Sequence, residues 1–283
     1  MLVFKTKSLL INYLKSFLDL NKPVGFVPTM GALHDGHLAL IKNSSKNNKL
    51  TVVSIFVNPT QFNNLEDLEK YPRTLEKDIE KIKNICSNCI IFAPSVDDIY
   101  EGKTCAASIE FDGIEFEMEG KHRPGHFDGV GTIVKKLFEI VKPTNAYFGE
   151  KDFQQLQIVK KLILKNKIAV TVVGCPIYRE KSGLAMSSRN ERLSIESKES
   201  AAVIYKTLQI AKEKFGTKSA QEVSLWVINS LNKNKDLKLE YFEIADENTL
   251  KTCVRKAKNK KYRAFIAVYI ENIRLIDNIS LNN

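Results

Sequence analysis

The chain has 283 residues, 43% of them hydrophobic and 27% charged, a composition typical of a globular protein of about two domains. Its formal net charge of +10 favours anionic partners such as nucleotides, phosphorylated metabolites or nucleic acid, without choosing among them. No apolar run approaches the ~20 residues that cross a bilayer, and the N-terminus has no signal-peptide pattern. We therefore expect a cytoplasmic protein with no membrane partner.

The five cysteines are odd in number and suggest no disulfide framework, which favours a reducing compartment. Cys86 and Cys89 have the spacing of a metal or redox pair. Because no second pair accompanies them, we interpret this spacing as coincidence.

Through the first 175 or so residues, apolar β-prone runs alternate with helical patterns. The strand-like runs are Val24–Val27, Thr51–Val57, Cys89–Phe92, Ala146–Phe148 and Val170–Val173. The clearest helical pattern is Gly129–Val141, and two others are Glu76–Ile85 and Asp152–Lys165. Pro72 is predicted to open the helix that contains Glu76–Ile85. This alternation predicts an α/β fold, a Rossmann-like parallel sheet with helices on both faces.

The pattern changes after about Pro176. Helices are predicted at Glu196–Lys214 and Ala220–Leu231, and strands at Leu239–Ile244, Ala264–Ile270 and Ile273–Ile276. The spacer Glu271-Asn272 predicts a tight hairpin between the last two strands. We therefore divide the chain into a domain of residues 1–176 and a smaller α+β C-terminal domain of residues 177–283.

Ligands of open parallel sheets bind beyond the carboxyl ends of the strands. Four predicted strands are followed by segments rich in small, polar and charged residues, namely residues 28–37, 58–62, 149–152 and 178–190. If the sheet forms, these segments are expected to line one cleft.

The first of these segments contains His34-Asp-Gly-His37. Gly31 and Gly36 allow the backbone to turn or to approach a ligand closely. If His37 opens a helix, free N–H groups and the positive end of the helix dipole form an anion site, and both imidazoles can reach a triphosphate. The alternative is a polar turn in which the two histidines only cap the helix.

His34-Asp-Gly-His37 is similar to the H-x-G-H signature of the nucleotidyltransferase superfamily that includes class I aminoacyl-tRNA synthetases. Met186-Ser-Ser-Arg189 is similar to the Lys-Met-Ser-Lys-Ser loop of the same superfamily, with arginine in place of a lysine. More specifically, five segments resemble the motifs of pantothenate synthetases, and together they span about residues 23–190. These segments are residues 28–37, 56–62, 123–127, 148–155 and 183–190.

The resemblance implies an ATP-dependent ligase that activates pantoate as pantoyl-adenylate and joins it to β-alanine, giving pantothenate, AMP and pyrophosphate for coenzyme A biosynthesis. It implies that residues 1–176 bind nucleotide and pantoate, and that residues 177–283 close over the ATP site. It also implies a homodimer. Mg²⁺ is expected to arrive with ATP, because this ion is commonly coordinated by substrate phosphates and water. The sequence shows no dedicated set of carboxylate ligands for it.

The resemblance also implies roles for individual residues. His37 is expected to be catalytic, with His34 and Lys151 assisting. The residues expected to bind ATP are Met30, Gly31, Ala32, Leu33, His34, Asp35, Gly36, His37, Gly149, Glu150, Lys151, Asp152, Tyr178, Met186, Ser187, Ser188 and Arg189. The residues expected to bind the substrates are Gln61 and Gln155, with Asn58, Arg123 and His126 in supporting positions.

Alternatives remain open for Gln155 and Lys151. Asp152 and Gln155 also have the spacing of a helix capping box. Lys151 would read equally as an exposed lysine if Gly149-Glu150 and Asp152 did not flank it. Tyr178 and Ser182 depart from the family pattern near the nucleotide.

Two other functions compete with the ligase. One is a different nucleotidyltransferase of the same superfamily, which would place more cations near Gln61 and Gln155. The other is RNA binding through the basic charge, for which the tyrosines among lysines of the second domain offer the only support. We expect no nucleic acid partner.

Overall fold

In the computed structural model, which describes residues 1–20 and 22–282 and only the backbone of Leu18, the chain divides into two units. The first unit comprises Met1–Glu150 and Gln155–Pro176. The second comprises Lys151–Gln154 and the chain from Ile177 onward. Among the described residues, no helix is long and apolar enough to cross a membrane.

A six-stranded parallel sheet forms the centre of the first unit, and its strands are ordered β1-β4-β3-β2-β5-β6. The strands are β1 (Val3–Phe4), β2 (Val24–Thr29), β3 (Leu50–Ile55), β4 (Cys89–Phe92), β5 (Asn145–Gly149) and β6 (Thr171–Cys175). All five predicted strands are present, and the predicted α/β class is confirmed. β1 was not predicted, because two residues are too few to show a period.

Helices connect these strands on both faces of the sheet. They are α1 (Lys7–Asp19), α2 (Asp35–Asn47), α3 (Leu65–Glu69), α4 (Leu75–Lys83), α5 (Val96–Tyr100), α6 (Met118–His122), α7 (His126–Val141) and α8 (Phe153–Lys165). Right-handed crossovers place α2 and α4 on one face and α1, α7 and α8 on the other. Accordingly, Val27 belongs to a core cluster with Ile41 and Ile82, whereas the Phe26 ring meets the Phe138 ring of α7 at 6.2 Å.

Strands β2 and β5 lie side by side but pair over a short length. β2 pairs with β3 along all six residues, yet it pairs with β5 only at Gly25 opposite Asn145 and Phe26 opposite Ala146. From β2 the chain continues outward to β3 and β4, and from β5 it continues outward to β6 in the opposite direction. The position between β2 and β5 is therefore the topological switch point of the sheet. A crevice therefore opens between the carboxyl ends of β2 and β5.

A buried polar cluster holds the amino ends of the same two strands. Asn48 donates to the Tyr147 hydroxyl at 2.9 Å and accepts from the Asn145 amide at 2.8 Å. Gly25 leaves the space that this cluster occupies, because a Cβ there would lie 2.1 Å from Ser44 Oγ and 2.6 Å from Asn48 Nδ2. Close packing of polar groups thus fixes the strands at the end opposite to the crevice.

The second unit packs helices against a three-stranded antiparallel sheet of order β7-β8-β9. Its elements are α9 (Ile195–Ala201), α10 (Val203–Phe215), α11 (Ala220–Leu231), β7 (Lys238–Asp246), β8 (Tyr262–Ile270) and β9 (Ile273–Ser280). Glu271 and Asn272 have φ of 47° and 63°, as a two-residue hairpin turn requires. The α+β prediction and the hairpin are confirmed.

Three details of the elements and their boundaries differ from the sequence predictions. Pro72 does not open α4, which begins at Leu75 after Thr74. The helix predicted over residues 196–214 is two helices that meet at Ala202. Residues 151–154 belong to the second unit, in which Asn278 Nδ2 donates to the Lys151 carbonyl at 2.9 Å and Arg263 lies over the Phe153 ring.

The interpretation of Cys86 and Cys89 as a coincidence of spacing is wrong. Their sulfurs are joined as a disulfide where the chain passes from α4 into β4, with Cα atoms 5.6 Å apart. This tight connection brings the two side chains within the Cα separation that a disulfide needs. Cys105, Cys175 and Cys253 are free thiols.

We predict that Gly25→Ala lowers the free energy of unfolding by about 1–3 kcal/mol, because the new methyl group overpacks the buried polar cluster. Chemical denaturation measures this change. Adding Ser44→Ala to Gly25→Ala should recover part of the loss, since it removes the oxygen that the methyl group meets first. Strictly additive effects of the two substitutions would contradict this packing argument.

Candidate functional site

The loop after β2 is shaped by a buried carboxylate on α4. Gly31 and Ala32 both have left-handed backbone conformations, with φ of 85° and 49°. Asp78 is fully buried and accepts from the Ala32 N–H at 3.0 Å and the Leu33 N–H at 2.7 Å. Thr74 also donates to it at 3.3 Å. Asp78 therefore satisfies the backbone donors of this turn, a role that sequence reasoning did not identify.

The two histidines lie together at the start of α2, as predicted. His34 is the N-cap, and its ring lies 4.0 Å from the His37 ring with an angle of 32° between the planes. The His34 backbone N–H donates to His37 Nδ1 at 3.4 Å. In neutral His37 the proton consequently resides on Nε2. The capping alternative is thus correct in part, and it leaves Nε2–H as the donor of the His37 ring.

The first turn of α2 supplies further groups for an anion. The helix begins at Asp35 and continues through Gly36, so the positive end of its dipole lies at the histidines. Backbone N–H groups of a helix N-terminus and an imidazole N–H together suit phosphate oxygens.

Gln61 lies in a 3-10 turn, Pro59–Gln61, that follows β3, the strand next to β2. Its Nε2 donates to the Met30 sulfur at 2.9 Å, and its Oε1 accepts from Asn58 Nδ2 at 3.1 Å. These two contacts fix which end of the amide faces the loop after β2. The structure therefore brings Gln61 together with the segment that carries the histidines.

Asn58 is the buried support of this turn, with 1% of its surface exposed. Its Nδ2 also donates to the Gly129 carbonyl at 3.2 Å, and its Oδ1 accepts from the Tyr100 hydroxyl at 2.6 Å and from Thr60 Oγ1 at 3.1 Å. Burial raises the pKa of Tyr100, which keeps the phenol protonated as a donor. Sequence reasoning placed Asn58 here but missed Tyr100.

The start of α7 supports the backbone of the same turn. His126 Nδ1 lies 2.8 Å from the Gln61 carbonyl oxygen, so Nδ1 must be the protonated donor, and Arg123 Nη2 donates to the same oxygen at 3.4 Å. A Cβ on Gly129 would lie 2.3 Å from the Thr60 carbonyl oxygen, which shows how closely α7 approaches. The predicted supporting positions thus act on the Gln61 backbone.

The segment after β5 turns directly into α8. Gly149 ends the strand, Glu150–Asp152 form a 3-10 turn, and Gln155 lies half-buried in the first turn of α8. Asp152 ends this turn and directly precedes α8, so the capping-box alternative for Asp152 and Gln155 stays open. The Lys151 side chain is only 20% exposed and lies 3.8 Å from the Asp152 carboxylate, unlike a freely solvated lysine.

In the second unit, the polar segment of residues 178–190 begins as a short hairpin. The Met186 N–H donates to the Tyr178 carbonyl at 3.0 Å, and the hairpin leads into a 3-10 turn, Ser188–Arg192. Ser187 caps that turn by accepting from the Arg189 N–H at 3.3 Å. Tyr178 is 46% exposed, so its ring is available to a ligand.

The predicted site residues thus form two clusters. In the first unit, residues 30–37 lie with Asn58, Gln61, Arg123 and His126, while Gln155 lies in the first turn of α8, which follows the neighbouring strand β5. In the second unit, Lys151 and the hairpin share supports on β9. Among the described residues, no group of three or more histidine, cysteine or carboxylate side chains is arranged to hold a metal ion.

Comparisons with known proteins agree on one family. The family model described as Pantoate-beta-alanine ligase matches residues 2–280. The pantothenate synthetases of Flavobacterium psychrophilum and Christiangramia forsetii are 66% and 56% identical, over 99% and 100% of this chain and all of each relative.

Two solved structures of the same family are also similar to this chain. A Thermus thermophilus pantothenate synthetase has a TM-score of 0.92 and 38% identity, over all of both chains. A Francisella tularensis pantoate-beta-alanine ligase, complexed with beta-gamma ATP and beta-alanine, has a TM-score of 0.81 and 36% identity, over 100% of this chain and 98% of that one.

We predict that Asp78→Asn lowers the free energy of unfolding by about 1.5–3 kcal/mol, because an amide cannot accept from both Ala32 and Leu33 without presenting a donor to one of them. Amide exchange at these two residues should accelerate. The control is Glu80→Gln on the exposed side of α4, expected within about 0.5 kcal/mol of the parent. Equal stability of the two variants would rule out this role for Asp78.

Proposed function

Because the chain belongs to the pantoate-beta-alanine ligase family, we propose that its two clusters bind the ATP and the pantoate of that reaction. The reaction is the ATP-dependent condensation of pantoate with β-alanine to pantothenate. The observation that carries the assignment of residues is the contact between Gln61 and Met30. It joins an amide suited to pantoate to the loop suited to the nucleotide.

Two steps account for the products. A pantoate carboxylate oxygen attacks the α-phosphorus of ATP, and the bond to the bridging oxygen breaks with release of pyrophosphate. The β-alanine amine then attacks the acyl carbon of pantoyl-adenylate, loses a proton and displaces AMP. Neither step needs a covalent bond to the protein, so positioning and charge stabilisation supply the catalysis.

His37 donates through Nε2–H to a phosphate oxygen as negative charge builds on the leaving pyrophosphate. The His34 N–H bond to Nδ1 holds the ring and selects the required tautomer. His34, stacked on His37, lies at the same helix terminus and adds a second imidazole. The Gly31–His37 segment approaches ATP with its backbone, since glycine at 31 and 36 removes side chains there.

Gln61 and Gln155 bind pantoate. A neutral amide donates to the carboxylate or to the hydroxyls without forming an ion pair that would weaken the nucleophile. The Asn58 contact fixes Gln61 with Nε2 toward Met30, so the donor end of the amide is set before substrate arrives. Arg123 and His126 support Gln61 by holding its backbone carbonyl.

In the second unit, Lys151, Ser187, Ser188 and Arg189 bind the phosphates, while Tyr178 faces the nucleotide base. Mg²⁺ would enter with ATP, take its ligands mainly from phosphates and water, and neutralise phosphate charge. Glu150 or Asp152 would contact it indirectly.

The protein is proposed to be cytoplasmic, where its nucleotide substrate is available. It is also proposed to be a homodimer. Phe116 and Leu164 of the first unit are 73% and 72% exposed, and a subunit interface would cover such side chains. Sedimentation equilibrium decides between monomer and dimer.

Pyrophosphate exchange into ATP tests the assignment of the reaction. Exchange should require pantoate and should not require β-alanine, because adenylation precedes amide formation. Exchange with a phosphorylated substrate instead would identify the competing nucleotidyltransferase. Salt-sensitive retention on RNA at physiological ionic strength would support the competing RNA-binding function.

We predict that His37→Asn and His37→Gln separate the two functions of this side chain. Asparagine keeps an acceptor near Nδ1 and should preserve stability within about 0.5 kcal/mol. It lacks the distal donor, so pantoate-dependent exchange should fall by about 10²–10³-fold. Glutamine keeps the distal donor but loses the cap, so it should cost about 1 kcal/mol of stability while retaining more activity. Near-normal exchange by His37→Asn would show that His37 is not catalytic.

A further inference from the structure

Strand β9 carries two adjacent buried polar residues, Asp277 and Asn278, which are 4% and 1% exposed. They lie far beyond the last motif of the sequence, which ends at Asn190. Buried polar side chains in a sheet are costly unless they are fully hydrogen-bonded, so their partners indicate what they do.

Asn278 connects β9 to the segment that carries Lys151. Its Oδ1 accepts from Arg263 at 2.6 Å, and its Nδ2 donates to the Lys151 carbonyl oxygen at 2.9 Å. The Arg263 donor fixes the orientation of the amide, so the N–H must face Lys151. Arg263 also lies 4.0 Å above the Phe153 ring, which follows Lys151 by two residues. The segment is therefore held through both its backbone and a ring.

Asp277 connects β9 to the hairpin that precedes Ser187–Arg189. It accepts two hydrogen bonds from Arg179, at 2.6 and 3.0 Å. The same guanidinium donates to the Gly183 carbonyl at 3.1 Å and lies 3.7 Å above the Tyr205 ring. A bidentate, stacked arginine is held in a single orientation, so the hairpin is fixed to β9.

The connections made by Asp277 and Asn278 are linked to each other. The Asn278 backbone N–H donates to the Asp277 carboxylate at 2.7 Å, which links the Asp277 side chain to the main chain of Asn278. Lys151 and the hairpin are separated in sequence, yet both are hydrogen-bonded to neighbouring residues of β9, Asn278 and Asp277. Two segments that must bind one triphosphate need a fixed separation, since binding then requires little reorganisation.

We propose that Asp277 and Asn278 are positioning residues for ATP, which hold Lys151 and the Ser187–Arg189 turn at the separation that the phosphates require. This inference rests on the proposed phosphate contacts of Lys151 and Arg189. It assigns to the C-terminal sheet a role in nucleotide affinity in addition to its role in packing.

The test compares Asn278→Asp with Asn282→Asp. At position 278 the aspartate keeps the acceptor for Arg263 but places an oxygen against the Lys151 carbonyl. At position 282 it keeps the acceptor for the Tyr262 N–H, 3.1 Å away, and has no hydrogen bond to Lys151. Dissociation constants for ATP are measured by calorimetry on the full chain with Mg²⁺, together with the KM values for ATP and pantoate and the melting temperatures.

Asn278→Asp should raise the ATP dissociation constant about tenfold and leave the KM for pantoate within about twofold. Asn282→Asp should change neither. A purely structural role would lower the melting temperature or the active fraction without changing ATP affinity per folded molecule. Arg179→Lys provides a second measurement if Asn278→Asp does not fold. This substitution keeps the charge but loses the bidentate geometry, and it should raise the ATP dissociation constant about fivefold.

Lys151→Ala and Arg189→Ala separate failure of this inference from failure of the proposed site. If both weaken ATP binding while Asn278→Asp and Arg179→Lys behave like Asn282→Asp, the positioning role is wrong and the proposed site stands. If Lys151→Ala and Arg189→Ala leave ATP affinity unchanged, the phosphate contacts are wrong and the inference falls with them.

Discussion

Separation of β2 from β5 after two paired positions is the constraint on which the first cluster depends. Had these strands paired along their full length, main-chain hydrogen bonds would fill the space that the crevice occupies. The buried contacts of Asn48 keep their amino ends together, while the segments that follow their carboxyl ends lead to the histidines at the start of α2 and to Gln155 in the first turn of α8. The topological switch point thus fixes where the residues proposed to bind ligand in this unit emerge.

The side chains suited to binding ligand are positioned by others that are buried. Asp78 shapes the turn before the histidines, Asn58 orients Gln61, and β9 fixes Lys151 and the hairpin. In each case a buried polar group loses contact with water and regains hydrogen bonds with backbone groups and other side chains. Such supports hold donors in place before the substrate binds, which is the condition for electrostatic catalysis in an adenylation reaction.

Sequence reasoning succeeded where a local pattern has one structural meaning. Apolar runs gave all five longer strands of the parallel sheet, periodicity gave α11 with its observed bounds, and a two-residue spacer gave the last hairpin. It failed where a local pattern allows more than one structural outcome. Pro72 offered a helix start that the chain does not use, the helix of residues 196–214 is interrupted, and Cys86 pairs with Cys89 across a turn.

By itself, the sequence determined the α/β class, the family and the segments proposed to bind the substrates, because these depend on residue types at short fixed spacings. Tertiary structure alone decided which residues hold those segments in place. The supporting residues lie outside the motifs found in the sequence; they are Asp78, Tyr100, Arg179, Asp277 and Asn278. Their partners are far along the chain, and a hydrogen bond between buried groups depends on where folding brings two atoms, which no local pattern records.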